Sequence, residues 1–334
     1  MSKATRISYG IMVSLLIVTG GFHLGTLVLT AVFGYFALEQ LSFGRSKTLG
    51  VILYLLAVVG IGWGLFTFSK RAYKVLPEIA QTTIPAVVEY AEKKGVELPF
   101  TDYASLKTVT LKEVQERFAN IGRYAREAVF QIVLLLIGLV VALSLFLNAR
   151  WGAEDDPHSA RDSLYSTVVR ELVIRFETFY KSFARVIGAQ IIISAVNTGL
   201  TAVFLIWNHF PYTLVLIGLT FLCGLLPIIG NILSNTLIVG VAFTMPNGPH
   251  MALFALIFLV VIHKLEYFLN SKIIGSRIKN PMWLTLIGIV VGEKLMGIPG
   301  MILAPVVLHY IKVEASRNKL RDQARGLAET TGTK

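Results

Sequence analysis

The feature that most constrains this chain is a set of long apolar stretches that carry almost no charge. Residues 7–41 contain Glu39 as their one Asp, Glu, Lys or Arg, and the whole chain of 334 residues is 15% charged. Ordinary soluble domains are about 25% charged, and a helix of about 20 apolar residues crosses the hydrocarbon core of a bilayer. The sequence therefore predicts an all-α polytopic membrane protein and excludes a disordered chain, a fibrous protein and an ordinary soluble enzyme.

Four apolar stretches have the length of a single crossing. They are residues 48–69, 127–148, 186–207 and 251–270. We predict that each of them forms one full transmembrane helix.

Three further stretches are too long for one crossing, and each is interrupted near its centre by Gly or Pro. The interruptions lie at 20–25 in residues 7–41, at 226–231 in residues 212–246, and at 292–294 and 297–300 in residues 282–311. Because Pro removes a helix hydrogen bond and Gly loosens the backbone, we predict three broken or re-entrant helical hairpins. Irregular backbone at membrane depth needs protein or water around it, so these breaks are candidate parts of a functional site.

Two polar segments separate the spans. In the first, Thr110 and Glu113 fit a capping box that begins a helix running into the next span. The second contains an amphipathic helix that lies at the membrane interface or packs on a neighbour. The predicted organisation is an N-terminal hairpin and span (1–69), a long polar amphipathic helical segment (70–126), a span (127–148), an amphipathic helix (149–185), a C-terminal transport core with broken helices (186–311) and a basic, disordered tail (312–334).

The Lys and Arg residues set the predicted orientation. Four spans and three hairpins place most of them on one side, which favours cytoplasmic termini in a bacterial inner membrane and an outer position for residues 70–126. Lys70 and Arg126 beside that outer segment are exceptions to the rule that Lys and Arg lie on the cytoplasmic side, but this rule weakens for long loops. Lys3 and Arg6 precede an apolar run, as in a signal peptide, but the run continues far beyond the length of such a peptide. We attribute the net charge of +11 to topology, and expect lipid rather than nucleic acid as a partner.

Polar side chains mark one face of the span at 186–207. Gln190, Ser194, Asn197 and Thr201 recur at intervals of four, three and four residues, so they share one face of a helix. Hydrogen bonding between helices explains such a stripe as well as the lining of a substrate path does. Both interpretations remain open at this point.

The break at 226–231 is the next candidate. It contains Pro227 and Gly230, and Asn231 and Asn235 follow with a spacing of four residues. Helix ends at such breaks expose unpaired backbone groups and a partial charge. Transporters bind solutes and ions at such ends near the midplane of the membrane.

Ionisable residues inside the apolar stretches are costly in a bilayer and need an explanation. Glu266 and Asn270 lie near the end of the fourth span, where solvation of a helix end is the alternative to a role in transport. Glu293 and Lys294 lie in the break of the last stretch, where the exposed tip of a loop is the alternative. If Glu266 or Glu293 couples transport to protons, its replacement by Gln changes the pH dependence of transport.

Motifs of enzymes are missing from the sequence. It has no phosphate-binding Gly-Lys-Ser/Thr loop, no His-Glu-x-x-His helix and no Gly-x-Ser-x-Gly elbow. The single cysteine, Cys223, excludes an intrachain disulfide, a thiolate zinc cluster and an iron–sulfur site. We therefore predict no enzyme activity, no cofactor and no metal site, and we expect transport to be driven by an ion gradient or by the solute's own gradient.

Three blocks of the C-terminal third carry a family resemblance. They read GLLPIIGN at 224–231, LEYFLNSKIIG at 265–275 and GEKLMGIPGMILAP at 292–305, and Gly188-Ala189-Gln190 precedes them. Together they resemble the autoinducer-2 exporter family of bacterial membrane permeases, although Ser271 stands where that family usually has Pro. The resemblance implies a transporter with about eight hydrophobic segments, and members are linked to export of autoinducer-2 or to sodium/proton antiport.

We therefore expect a secondary transporter that moves a small autoinducer-like solute or exchanges cations for protons. The alternatives are a membrane scaffold or receptor without transport and, less favoured, a membrane-embedded enzyme. The expected partners are a small molecule or cation as substrate and the lipid bilayer, with a homo-oligomer left open. In this hypothesis the hairpins at 212–246 and 282–311 gate the pathway. The residues expected along it are Gln190, Ser194, Asn197, Thr201, Pro227, Gly230, Asn231, Asn235, Glu266, Asn270, Glu293 and Lys294.

Overall fold

The computed structural model describes residues 3–44, 46–95, 121–148, 163–226, 229–274 and 281–331. Within these ranges the chain forms helices and turns and contains no strand. The helices are α1 (Lys3–Gly21), α2 (Gly25–Leu41), α3 (Lys47–Lys93), α4 (Ile121–Asn148), α5 (Leu164–Trp207), α6 (Thr213–Gly224), α7 (Ile229–Phe243), α8 (Gly248–Ile274), α9 (Met282–Met296) and α10 (Ile298–Thr331).

Six of these helices contain a segment that is long and apolar enough to cross a membrane. The segments are Lys3–Gly21, Lys47–Lys93, Arg126–Asn148, Leu164–Trp207, Gly248–Glu266 and Ile298–Arg317. Shorter apolar helices occupy Gly25–Leu41, Thr213–Gly224 and Gly230–Phe243. The prediction of an all-α, multi-pass membrane protein is confirmed.

The first long apolar stretch folds into two helices, as its glycines predict. α1 ends at Gly21 and α2 begins at Gly25. Between them His23 adopts a left-handed backbone conformation with φ of 53°. A positive φ at a non-glycine residue is uncommon outside turns, so a tight turn separates the two helices here.

The last apolar stretch is broken at one of its two expected places. The break predicted at 292–294 is wrong, because α9 continues through these residues to Met296. Gly292 lies inside the helix and packs against the backbone of Gly300, where a Cβ atom would overlap the Gly300 carbonyl group. The true break is Gly297, which has a φ of 64° and donates its backbone N–H to the carbonyl oxygen of Glu293 at 2.7 Å, as helix-ending glycines do.

The middle stretch also divides into two helices around its break. α6 ends at Gly224 and α7 begins at Ile229, while Pro227 lies outside the described residues. The twelve residues of α6 make a helix about 18 Å long. This is well short of the roughly 30 Å core of a bilayer, so α6 cannot cross alone.

Three helices are longer than the sequence predicted. α3 continues beyond the span at 48–69 to Lys93, and α5 joins the amphipathic segment and the span at 186–207 into one helix of 44 residues. The sequence predicts a disordered tail after Lys312, but α10 continues to Thr331. Its residues are mainly Ala, Leu, Lys, Arg, Glu and Gln, which favour helix, and a helix that has already begun extends at little cost. The capping box predicted at Thr110 lies outside the described residues.

The chain divides into two compact units. Unit 1 is drawn from Met1–Tyr54, Gln131–Gly188 and Ile274–Lys334, and unit 2 from Leu55–Phe130 and Ala189–Ile273. The apolar core of unit 2 combines side chains of α3, α5, α6, α7 and α8 with Phe210. Its buried members are Ile79, Phe204, Leu205, Phe210, Leu216, Ile238, Val241, Ala242, Ala252, Ala255 and Leu259.

Unit 1 contains a buried cluster of charged and aromatic side chains. Arg175 of α5 is 2% exposed, contacts the Glu171 carboxylate at 2.5 Å, and stacks over the ring of Tyr9 of α1 at 4.1 Å. The Tyr9 hydroxyl donates to Oε2 of the buried Glu314 of α10 at 2.7 Å. Tyr9 therefore connects a cation of one helix to a carboxylate of another.

Candidate functional site

A small polar cavity lies within unit 2. Its free volume is about 10 Å³, close to the minimum that one water molecule needs. Helices α5, α6, α7 and α8 all contribute to its wall. The lining residues are Asn197, Thr201, Thr220, Asn231, Asn235, Leu259, Ile262, His263 and Glu266.

Glu266 is the one carboxylate among the lining residues, and its side chain is 14% exposed. Asn231 of α7 donates from Nδ2 to Oε2 of Glu266 at 2.6 Å. Nδ2 of Asn197 on α5 and Nδ1 of His263, one turn earlier on α8, each lie 3.5 Å from the same oxygen. Three helices therefore place nitrogen atoms around one oxygen of a largely buried carboxylate, as a charge removed from water requires.

The polar stripe of α5 divides into two parts with different contacts. Asn197 and the fully buried Thr201 line the cavity. Gln190 and Ser194 instead contact the end of α6: Gln190 Nε2 donates to the Gly224 carbonyl oxygen at 2.6 Å, and Ser194 Oγ donates to that of Phe221 at 2.9 Å. Hydrogen bonding between helices thus explains one half of the stripe, and the other half faces the cavity.

The residues after the break bring α7 to the cavity. Gly230 packs so closely on the end of α6 that a Cβ atom would overlap the carbonyl group of Cys223. Asn231 and Asn235 then lie one turn apart on α7 and both line the cavity. Spacing alone places them on one face, and the close approach at Gly230 directs that face toward Glu266.

The remaining predicted site residues lie elsewhere or are not described. Asn270 belongs to α8, but its side chain lies outside the described part of the chain. Glu293 and Lys294 lie in the last turn of α9, in unit 1. Their side chains are 48% and 79% exposed and approach each other at 3.6 Å, so each has solvent or its neighbour as a partner.

Thr220 is a lining residue that the sequence analysis missed. It is buried and donates its hydroxyl to the carbonyl oxygen of Leu216 at 2.8 Å. The signal was present, since Thr220 is the one hydroxyl residue in the interior of an otherwise apolar helix. A back-bonded hydroxyl of this kind keeps its lone pairs available to a cation or water.

The arrangement offers oxygen atoms to a small cation. One carboxylate, two hydroxyls and three amide side chains surround the cavity. Carboxylate, amide and hydroxyl oxygens suit hard cations rather than soft metals. Across the described residues, no group of three or more His, Cys, Asp or Glu side chains is arranged to hold a metal ion.

Comparison with known proteins identifies similar chains. Residues 7–316 match the model of the family described as "AI-2E family transporter". The chain is 26% identical over 297 residues to the "Putative transport protein YdbI" of Bacillus subtilis (strain 168). The aligned region covers 84% of this chain and 80% of that protein. It is also 26% identical over 226 residues to the "Sodium-lithium/proton antiporter" of Halobacillus andaensis. That match covers 66% of this chain and 60% of the antiporter, so less than two thirds of that relative is represented.

Proposed function

The chain belongs to the AI-2E transporter family, and on that premise we propose that it exchanges a monovalent cation for protons across the bacterial inner membrane. In this proposal the Glu266 carboxylate binds the cation and the proton in alternation. The observation that carries it is the meeting of Asn197, Asn231 and Glu266 from three helices in one buried cavity. A carboxylate inside a membrane protein is energetically costly, so its presence points to a functional role.

The lining residues supply the ligands that such a cation needs. Rotation of the Asn197 and Asn231 amide groups would turn their oxygen atoms toward a cation bound at Glu266, replacing the N–H groups that face the empty carboxylate. The hydroxyl oxygens of Thr201 and Thr220 complete an oxygen-rich wall. When the cation leaves, a proton neutralises Glu266, and the amide N–H groups bond to it again.

Cavity size favours a cation over an organic solute. The cavity holds about 10 Å³ of free volume, whereas pockets for organic ligands measure roughly 300–1,000 Å³. A dehydrated monovalent cation is similar in size to a water molecule. The name of one relative, the sodium-lithium/proton antiporter, supports the same choice over an autoinducer-like solute.

The proposal includes an orientation. Both termini lie in the cytoplasm and residues 70–126 lie on the outer side, as the distribution of Lys and Arg predicts. A membrane-impermeant maleimide tests it on single cysteines placed in a Cys223→Ala background. Tyr73→Cys, 82% exposed on α3, should react in intact cells, whereas Lys3→Cys should react only after the membrane is opened. The reverse pattern would overturn this orientation.

Substitution of Glu266 tests the proposed exchange in proteoliposomes. With a pH gradient imposed, addition of Na⁺ or Li⁺ should move protons through the unmodified protein, and Glu266→Gln should reduce this movement to that of empty liposomes. The apparent KM for Na⁺ of the unmodified protein should rise as the pH falls, because protons occupy the same carboxylate. Glu89→Gln is the matched control, since Glu89 forms an exposed ion pair with Lys93 in the same unit and such pairs contribute little. Retention of full exchange by Glu266→Gln would remove the proposal.

A further inference from the structure

The C-terminal end of α6 is held by side chains of another helix. The carbonyl oxygens of Leu222 and Cys223 accept backbone N–H groups from the two residues that follow the helix. Those of Phe221 and Gly224 accept from Ser194 and Gln190 of α5 instead. We call these two hydrogen bonds the α5–α6 clamp. Because α6 is too short to cross a bilayer, its end lies where water is not a dependable hydrogen-bond donor. The clamp supplies donors to the terminal carbonyl groups instead.

The clamp fixes more than the end of α6. Ser194 lies so close to α6 that a Cβ atom on Gly224 would come within 2.5 Å of its hydroxyl oxygen. The same end of α6 contacts the beginning of α7, where Gly230 packs directly on the Cys223 carbonyl group. The next residue is Asn231, which donates to Glu266 at 2.6 Å.

From this continuous series of contacts we infer that Gln190 and Ser194 are positioning residues that set the affinity and selectivity of the cation site by holding Asn231 against Glu266. The inference rests on the proposed function at Glu266. Neither Gln190 nor Ser194 lines the cavity, so neither binds the cation itself. Their effect passes through the end of α6, Gly230 and Asn231.

The first test is cation affinity in proteoliposomes. Ser194→Ala removes one clamp bond and should raise the KM for Na⁺ by about three- to tenfold, the effect of one neutral hydrogen bond, while kcat stays near that of the unmodified protein. Selectivity for Na⁺ over K⁺ should fall in parallel. Ser194→Thr keeps the hydroxyl donor and should restore both values. Thr236→Ala is the control, because Thr236 is an exposed residue of α7 whose hydroxyl donates to the carbonyl oxygen of Ile232 in the same helix.

A double-mutant cycle asks whether the effect passes through Asn231. If it does, Ser194→Ala should raise KM no further once Asn231→Ala is present, because the group being positioned is already gone. Additive effects in the cycle would overturn the inference, even if each variant alone were impaired. Gln190→Leu provides an independent removal of the other clamp bond and should behave in the same way.

A third measurement needs no cation. In a Cys223→Ala background, the thiol of Asn231→Cys replaces a side chain of a residue that is 8% exposed and should react slowly with a small methanethiosulfonate. Adding Ser194→Ala should speed this reaction several-fold, whereas Thr236→Ala should not, and equal rates would overturn the inference. Na⁺ transport that persists in full in Glu266→Gln would instead contradict the proposed function, so the two failures are distinguishable.

Discussion

Asn231 donates a hydrogen bond of 2.6 Å from Nδ2 to Oε2 of Glu266, and this bond joins α7 to α8 inside the polar cavity of unit 2. Asn231 is the third residue of α7, directly after Gly230. The beginning of a broken helix is thereby fixed to the one carboxylate of the cavity.

Asn231→Ala should weaken cation transport by raising KM. The variant loses the amide oxygen that would turn toward the bound cation. A polar contact to a charged group contributes about 1.5–3 kcal/mol, which corresponds to roughly a tenfold to hundredfold change in affinity. Initial rates of ²²Na⁺ uptake over a range of Na⁺ concentrations measure it. Asn208→Ala is the control, since Asn208 Nδ2 bonds to the Phe204 carbonyl oxygen at the end of α5. An unchanged KM in Asn231→Ala would show that this amide does not serve the site.

Gly230→Ala and Gly199→Ala should have opposite effects on stability. A methyl group at Gly230 would overlap the Cys223 carbonyl group, whereas one at Gly199 of α5 meets no atom within 4 Å. The first should destabilise the protein by about 1–3 kcal/mol through overpacking, and the second should stabilise its helix by roughly 0.5–1 kcal/mol. Thermal unfolding in detergent, followed by tryptophan fluorescence, gives the two shifts in Tm. Equal shifts would contradict the close approach of α6 and α7.

Gly292→Ala should destabilise the packing of α9 on α10 in unit 1. The backbones of Gly292 and Gly300 approach so closely that a Cβ atom on either residue would overlap the other's carbonyl group. We expect a loss of about 1–3 kcal/mol, measured by the same unfolding assay. Gly10→Ala on α1 is the control, because no atom lies within 4 Å of its added methyl group. A Tm as high in Gly292→Ala as in the control would contradict the close packing of α9 on α10 at this position.

Tyr9 substitutions should separate the two contacts that its side chain makes. Tyr9→Phe loses the hydroxyl bond to the buried Glu314 but keeps the ring beneath Arg175, at an expected cost of about 1.5–3 kcal/mol. Tyr9→Leu also removes the ring and should cost roughly 0.5–2 kcal/mol more. Unfolding measurements on both variants and on Tyr165→Phe, which is 79% exposed, give the series. Indistinguishable stability of Tyr9→Phe and the Tyr165 control would contradict a buried connection through the hydroxyl.

The sequence predicted which stretches are apolar helices but not where each helix ends. Hydropathy and the glycines near 20–25 were sufficient for α1 and α2, because length and backbone freedom are local properties. The change of polarity near Arg185 predicts two separate segments, yet no Pro lies between Leu164 and Trp207 to end the helix, and α5 is continuous. The sequence predicted a break at both Gly292 and Gly297. In the structure Gly292 packs on Gly300 inside the helix, whereas Gly297 has a positive φ and ends it.

The sequence identified most lining residues of the cavity but did not predict which of them contact one another. The spacing of Asn197 and Thr201 followed from helical periodicity, whereas the approach of Asn231 and Glu266 depends on the tertiary packing of α7 and α8. Gln190 and Thr201 belong to the same stripe, and the local sequence does not predict that only Thr201 lines the cavity. Their different partners depend on where α6 ends, which is a property of another segment.

The single carboxylate of the cavity limits the charge that the proposed exchange can carry. One Na⁺ or one proton neutralises Glu266, so the loaded site has the same net charge with either ion, as long as His263 keeps one protonation state. Moving an elementary charge through 100 mV changes the free energy by about 2.3 kcal/mol, but a one-for-one swap moves none. Voltage would then have no influence on the direction of flow, and acidity and salt on the two sides would decide it alone.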